Sequence, residues 1–229
     1  AKAAGVVPEP RAFRALVRGL AGMGRTEIAG RAYAELAGQL RMQGRAPDAQ
    51  SCSDLMKAYA DKNDTTQATG LLESATSEGL RLEVSAFTAV MDANVRAGDR
   101  AGTERCCRAI VQADVKPRDR QDFQTVLNAC SHVGDVRRAT MWFDQLIGAG
   151  FQPEEATYGL IFKACAMASP KEKKVAEKFL CAAVATGVML SWRSVVQLDR
   201  VLGVVMRHQL FEVLGLDNEG PDREIKSNG

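Results

Sequence analysis

Apolar residues recur along the chain at a spacing that predicts pairs of short helices. Between residues 123 and 154 two helical stripes follow one another. The first stripe consists of Phe123, Val126, Leu127 and Cys130, and the second of Ala139, Phe143 and Leu146. Gly134–Asp135 separates the stripes with turn chemistry, and Gly150 suits a helix C-terminus. We therefore expect two helices joined by a tight turn.

The same pattern returns about every 35 residues. The anchors of the first helices are Phe13, Cys52, Phe87, Phe123 and Tyr158, and the turns fall at Gly24, Asn63, Gly98, Gly134 and Ser169. Anchors from Cys52 to Tyr158 are 35, 36 and 35 residues apart, but 39 separate Phe13 from Cys52. This difference predicts an insertion near residues 39–45. One hairpin cannot bury its apolar face alone, so we expect an all-α solenoid of stacked hairpins.

The repeat pattern also predicts the domain organisation. The five hairpins are expected at residues 11–48, 49–83, 84–118, 119–154 and 155–191. Residues 1–10 form a lead-in, and residues 192–214 keep an apolar stripe without the repeat, which predicts a helical cap. Residues 215–229 are polar and broken by Gly and Pro, which predicts a loose tail. Because the chain does not begin with Met, we expect a processed or trimmed chain from which any targeting peptide is missing.

Composition and residue spacing limit which kinds of site the chain can contain. The chain is 46% hydrophobic and 25% charged with a net charge of +2, as in an ordinary globular protein. No stretch approaches the ~18 apolar residues of a membrane-spanning helix. The six cysteines form no C-x-x-C pair and the two histidines have no partner at metal spacing, so we expect core cysteines in a reducing compartment. No disulfide, metal, cofactor or catalytic residue is predicted.

These features resemble the pentatricopeptide repeat (PPR) family. The resemblance rests on the 35-residue step, the aromatic anchor and the Gly-x-x-Pro-Asp/Glu boundaries Gly44–Pro47–Asp48 and Gly150–Pro153–Glu154. The Trp and Leu-Gly-x-x-Tyr pattern of the rival tetratricopeptide repeat is absent. The resemblance covers residues 11–191. It implies a right-handed α-solenoid, with first helices lining a concave face, and a location in a mitochondrion or chloroplast.

The resemblance further implies that each repeat contacts one base of single-stranded RNA through two positions. These are the residue after the anchor and the residue closing the repeat. The pairs are Arg14 with Asp48, Ser53 with Glu83, Thr88 with Arg118, Gln124 with Glu154, and Gly159 with Ser191. Ser53 and Thr88 fit the first position and Asp48 and Ser191 the second, but no repeat has a complete familiar pair. We therefore expect weak sequence specificity.

Charge alternates along the repeats, with the first, third and fifth basic and the second and fourth acidic. The basic patch Arg11, Arg14 and Arg18 could contact phosphates or an acidic partner, although a solvated helix face would have the same composition. Two functions remain open. One is an organellar PPR-type RNA-binding protein that acts in RNA processing, stability or translation. The other is a non-catalytic scaffold that makes protein–protein contacts in a mitoribosome or a respiratory or photosynthetic assembly. DNA is not expected as a partner.

Overall fold

The computed structural model describes residues 10–216, which form twelve α-helices and no β-strand. The all-α fold class is therefore confirmed. The helices are α1 Pro10–Gly22, α2 Thr26–Met42, α3 Ala49–Asp61, α4 Thr65–Ser77, α5 Val84–Ala97, α6 Arg100–Gln112, α7 Arg120–Val133, α8 Val136–Gly148, α9 Glu155–Met167, α10 Lys173–Ala185, α11 Trp192–Leu202 and α12 Val204–Val213. Most of the predicted lead-in and tail, residues 1–9 and 217–229, lies outside the described part.

The turns inside the hairpins follow from two adjacent residues. The first has a left-handed backbone, with φ between 56° and 75°, at Gly24, Asn63, Gly98 and Gly134. In three of these turns the next residue is an Asp that accepts a backbone N–H of the second helix, and these N-caps are Asp64, Asp99 and Asp135. Glycine and asparagine tolerate positive φ, and aspartate is a preferred N-cap. The pair therefore ends one helix and begins the next.

The long first step of the sequence repeat has a simple structural cause. Helix α2 contains 17 residues, whereas α4, α6, α8 and α10 each contain 13. The difference is about one helical turn. The extra residues therefore lengthen α2, and the hairpin remains regular.

The helices divide into two compact units, with the boundary between Pro117 and Arg118. In the first unit the first helices α1, α3 and α5 pack side by side, and each also contacts its own second helix. Leu55, Phe87 and Ile110 are among its fully buried side chains. The Asn94 amide is buried with them and donates to Thr69 Oγ1 at 3.0 Å, so a polar bond also links α4 to α5.

In the second unit α7, α9 and α11 pack in the same manner, with α8 and α10 behind them. Phe143 on α8 joins the layers, because its ring centroid lies 5.3 Å from that of Tyr158 and 4.8 Å from that of Phe179. Helices α11 and α12 are separated by Gly203 alone. The buried Arg207 of α12 donates to Asp199 of α11 at 2.6 Å, which fixes this last pair.

Five of the six cysteines are buried, but Cys181 is exposed. The expectation that every cysteine is a core residue is therefore wrong at this position. The buried stripe of α10 consists of Ala176, Phe179, Leu180 and Ala183. Cys181 lies off that stripe, although it immediately follows a buried leucine.

Candidate nucleic-acid interface

Four of the five residues that close the predicted repeats are helix N-cap residues. Asp48 caps α3 by accepting Ser51 N–H at 3.0 Å, and Ser191 caps α11 by accepting Ser194 N–H at 3.4 Å. Glu154 forms a capping box with Thr157 at the start of α9. Glu83 is also the N-cap residue of α5, although its side chain makes no capping bond. Most of these side chains therefore use part of their hydrogen-bonding capacity within the fold.

The third repeat has a different register at its closing position. Arg118 was predicted there, but the N-cap of α7 is Asp119, which accepts Asp122 N–H at 2.9 Å. Asp119 therefore occupies the place that Glu83 and Glu154 occupy in their repeats. The exposed Arg118 precedes it, and its backbone N–H donates to Asp122 Oδ2 at 2.9 Å. The 36-residue step to Phe123 was the signal of this shift by one residue.

The residues that follow the anchors differ in accessibility. Ser53 is 1% exposed and its hydroxyl donates to Ala49 O at 3.0 Å, so a base cannot reach it without a rearrangement. Thr88 and Gln124 are half-buried, and the Thr88 hydroxyl donates to Val84 O at 3.1 Å. A Cβ on Gly159 would lie 2.7 Å from Ser194 Oγ, so α11 fills the space beside this glycine.

The predicted N-terminal basic patch is described only in part. Arg11 and Arg14 belong to α1, but their side chains lie outside the described part. The side chain of Arg18 is 73% exposed, and its Nε lies 3.7 Å from Asp54 Oδ2. The described cation of the patch therefore lies beside a carboxylate.

Carboxylates recur along the first helices of the first unit. Lys57 Nζ on α3 lies 3.9 Å from Glu83 Oε2, and Asp61 and Asp92 are exposed. Positive and negative groups therefore alternate here. On such a surface the carboxylates repel a phosphate backbone, and this repulsion offsets the attraction by the basic side chains.

The first helices of the second unit present a different surface. Asn128, Lys163 and Arg200 lie nine residues after the N-caps of α7, α9 and α11. Half-buried or exposed polar residues accompany them on α7 and α11. We define the α7–α9–α11 face as Gln124, Asn128, His132, Lys163, Gln197 and Arg200. Sequence reasoning identified only Gln124 in this group, although the repeat register would have aligned Lys163 with Arg200.

Each acidic residue of these three helices is bonded inside the unit. Asp122 accepts the Arg118 backbone N–H, and Asp199 accepts from Arg207 at 2.6 Å. Glu155 Oε1 accepts from Ser191 Oγ and Ser194 Oγ, each at 2.6 Å. These bonds are directed to neighbouring elements, so the amide and basic groups dominate the face.

Glu155 is the acidic residue of α9, and its bonds fix its charge. Burial alone would raise its pKa, but the hydrogen bonds from Ser191 and Ser194 outweigh burial and leave the pKa below its usual value. The carboxylate is therefore ionised at neutral pH and bonded towards α11.

His132 and Lys163 meet on the face, with 2.8 Å between Lys163 Nζ and His132 Nε2. Partial burial, and then the positive charge of Lys163, lower the pKa of His132. The imidazole is therefore neutral at pH 7 and accepts a hydrogen bond from the lysine. This contact places the Lys163 ammonium group of α9 beside the His132 ring of α7.

Repeated helical hairpins with these turns and caps give the chain its fold. The protein is PPR-like. The sequence matches no protein-family model and no curated protein sequence. Among known structures it is similar to the crystal structure of the PPR protein PPR10 from maize, at 20% identity and a TM-score of 0.42 over 100% of this chain. PPR10 in complex with an 18-nt psaJ RNA element gives 19% identity and a TM-score of 0.41 over 90% of this chain. In both comparisons the chain spans 30% of the PPR10 chain.

Two further observations concern residues 10–216 as a whole. No helix in this range combines the length and apolar character that crossing a bilayer requires. No group of three or more His, Cys, Asp and Glu side chains in the same range is arranged to hold a metal ion.

Proposed function

We propose that this protein binds single-stranded RNA with weak sequence specificity through the α7–α9–α11 face. The observation that supports this proposal is the combination of Lys163 and Arg200 with side-chain amides on three adjacent helices. The acids of those helices are bonded elsewhere in the unit. The resemblance of the repeat to the PPR family supports the same class of ligand.

The roles of these side chains follow from their chemistry. Lys163 and Arg200 neutralise phosphates, which supplies most of the affinity and makes it depend on salt concentration. The amides of Gln124, Asn128 and Gln197 both donate and accept, so each can bond to more than one base. Ser53 is buried and Gly159 has no side chain, so a complete set of base contacts is missing. Binding is therefore tolerant of sequence.

We extend the proposal to an organelle, a mitochondrion or chloroplast, where the protein would act in RNA processing, stability or translation. This part rests on the family resemblance. Localisation of the full-length protein in cells tests it directly.

The binding experiment uses two lysines at equivalent repeat positions. Lys163 and Lys57 each lie nine residues after an N-cap, but Lys57 lies 3.9 Å from the Glu83 carboxylate, whereas Lys163 contacts the neutral His132. Binding of labelled single-stranded RNA is measured by fluorescence anisotropy at several salt concentrations. Lys163→Glu, and separately Arg200→Glu, should weaken binding to all sequences alike. Each should also lower the salt slope by about 0.7, the value for one phosphate contact on a single strand.

The matched control is Lys57→Glu, which makes the same change of charge and should weaken binding less. Equal losses in Lys57→Glu and Lys163→Glu would show that net charge alone is responsible, and would contradict the assignment of the face. A wild-type protein that fails to bind RNA at low salt would contradict the function itself.

A scaffold function is the second candidate, and the first unit favours it. Its first helices carry the alternating charges of Arg18, Asp54, Lys57 and Glu83, which suit the polar rim of a protein interface. Under this hypothesis the protein remains in a large organellar complex after RNase treatment. Release by RNase would contradict it.

A further inference from the structure

Trp192 is an exposed aromatic residue beside the α7–α9–α11 face. It begins α11, and 49% of its surface is exposed. The other tryptophan, Trp142, is 8% exposed and packs edge-on against Phe123 at 6.3 Å. One tryptophan thus belongs to the core and the other faces solvent.

The register of the repeats accounts for this exposure. Glu155 holds the same place on α9, one residue after the N-cap, and there Ser191 and Ser194 of the next first helix contact it. Within residues 10–216 no further first helix follows α11. The indole is therefore exposed at the place where contacts between neighbouring first helices end.

A cation lies against this ring. The guanidinium carbon of Arg193 is 5.6 Å from the Trp192 ring centroid, and Arg193 itself is exposed. An aromatic ring beside a cation suits a nucleobase and its phosphate, because the ring stacks and the cation pairs with the anion. An apolar protein surface suits it less, because covering Trp192 would also desolvate the Arg193 charge.

The distance between Trp192 and Arg200 allows one RNA strand to contact both residues. Trp192 and Arg200 are eight residues apart on α11, which is about 12 Å along the helix axis. Both residues lie in the second unit, so this separation is set by a single helix.

We propose that Trp192 stacks on a nucleobase of a single-stranded RNA that also contacts the α7–α9–α11 face. This inference rests on the proposed function and adds a contact that does not depend on base identity. Stacking is tolerant of sequence because every base has a π face. It agrees with the weak specificity expected from the incomplete set of readout residues.

Intrinsic fluorescence tests the proposal without a label on the RNA. Titration with an oligouridylate at low salt should quench the emission of the wild-type protein. The quenching should persist in Trp142→Phe and disappear in Trp192→Phe, whose remaining tryptophan is buried. The difference between the wild type and Trp192→Phe gives the same answer even if Trp142→Phe fails to fold.

Affinity gives the second readout. Trp192→Leu keeps an apolar side chain but removes the π face, and it should weaken binding roughly five- to 150-fold, the range for a lost stacking contact. Trp192→Phe keeps a ring and should bind within about threefold of the wild type, since an aromatic platform remains.

The outcomes separate this inference from the function on which it rests. In one outcome Trp192→Leu binds RNA with unchanged affinity and RNA does not quench Trp192, whereas Lys163→Glu loses binding. This outcome would overturn stacking but would still support RNA binding at the α7–α9–α11 face. Absence of RNA binding by the wild type at low salt would overturn both. An RNase-resistant complex lost specifically in Trp192→Leu would identify Trp192 as a protein contact and would also overturn stacking.

Discussion

Phe143 joins three helices of the second unit, and its removal should destabilise that unit strongly. The side chain is 4% exposed and lies on α8. Its ring meets Tyr158 of α9 at 5.3 Å and Phe179 of α10 at 4.8 Å, in tilted and edge-on geometries that favour aromatic pairs. Phe143→Ala would therefore leave a cavity where two hairpins meet.

The expected loss of unfolding free energy follows from this burial. Phe→Ala at a buried site costs about 3–5 kcal/mol of unfolding free energy, because apolar burial is lost and the cavity collapses only partly. Phe143→Leu keeps most of the volume and loses the two ring pairs. Each pair contributes about 0.5–1.5 kcal/mol, so this variant should lose about 1–3 kcal/mol. Met141→Ala is the control on the same helix, since Met141 is 42% exposed and should change stability by no more than about 0.5 kcal/mol.

Urea denaturation measures these changes with two probes. Both tryptophans lie in the second unit, so their fluorescence reports on it, whereas circular dichroism reports on helices of both units. Stability in helical repeats is largely a sum of neighbour terms. The fluorescence midpoint should therefore fall by more than about 1 M in Phe143→Ala, given a slope of about 1–3 kcal/mol per molar urea. A midpoint equal to that of Met141→Ala would refute the packing described for α8, α9 and α10.

Two further predictions concern titrating groups. The unfolded protein without reductant should show six free thiols. Four or fewer thiols would reveal a disulfide. In the folded protein Cys181 should react first, because it is exposed, whereas burial raises the pKa of Cys52 to about 11 and of Cys165 to about 12. The pKa of His132 is lowered from 6.5, so the folded state binds this proton less readily than the unfolded chain. The stabilising contribution of neutral His132 should be full above about pH 6.5 and should be lost as the pH falls below 6.5. The urea midpoint of His132→Gln should therefore depend less on pH below 6.5.

The local chemistry of the turns made the fold predictable from sequence. Gly98 and Gly134 have positive φ, and each precedes an Asp that caps the following helix. These preferences belong to the residues themselves, so they can be recognised before any tertiary contact is known. The division between Pro117 and Arg118 is different, because it depends on how helices pack over a long range.

The side-chain environments at the site were less predictable. Ser53 was a good base-reading residue by type, but the structure buries it and bonds its hydroxyl to Ala49 O. Gly159 has no side chain that could contact a base, and the structure adds that Ser194 of α11 occupies the space beside it. The residue type at a repeat position shows which contacts a side chain can make. Neighbouring helices, which are distant in sequence, decide whether that side chain is accessible.

The charges favour different ends of the chain when they are counted by repeat and when each one is located in the structure. The first repeat is basic by count, but Arg18 lies beside Asp54 and Arg41 is bonded to Glu78. The fourth repeat is acidic by count, yet Asp122 and Asp135 accept backbone N–H groups at helix N-termini. A carboxylate bonded at a helix N-terminus is turned towards the backbone and offsets the local helix dipole, so it contributes less repulsion to the neighbouring surface. Electrostatic attraction for a phosphate backbone therefore depends on where each acid is bonded, and this favours the second unit over Arg18 as the proposed RNA-binding surface.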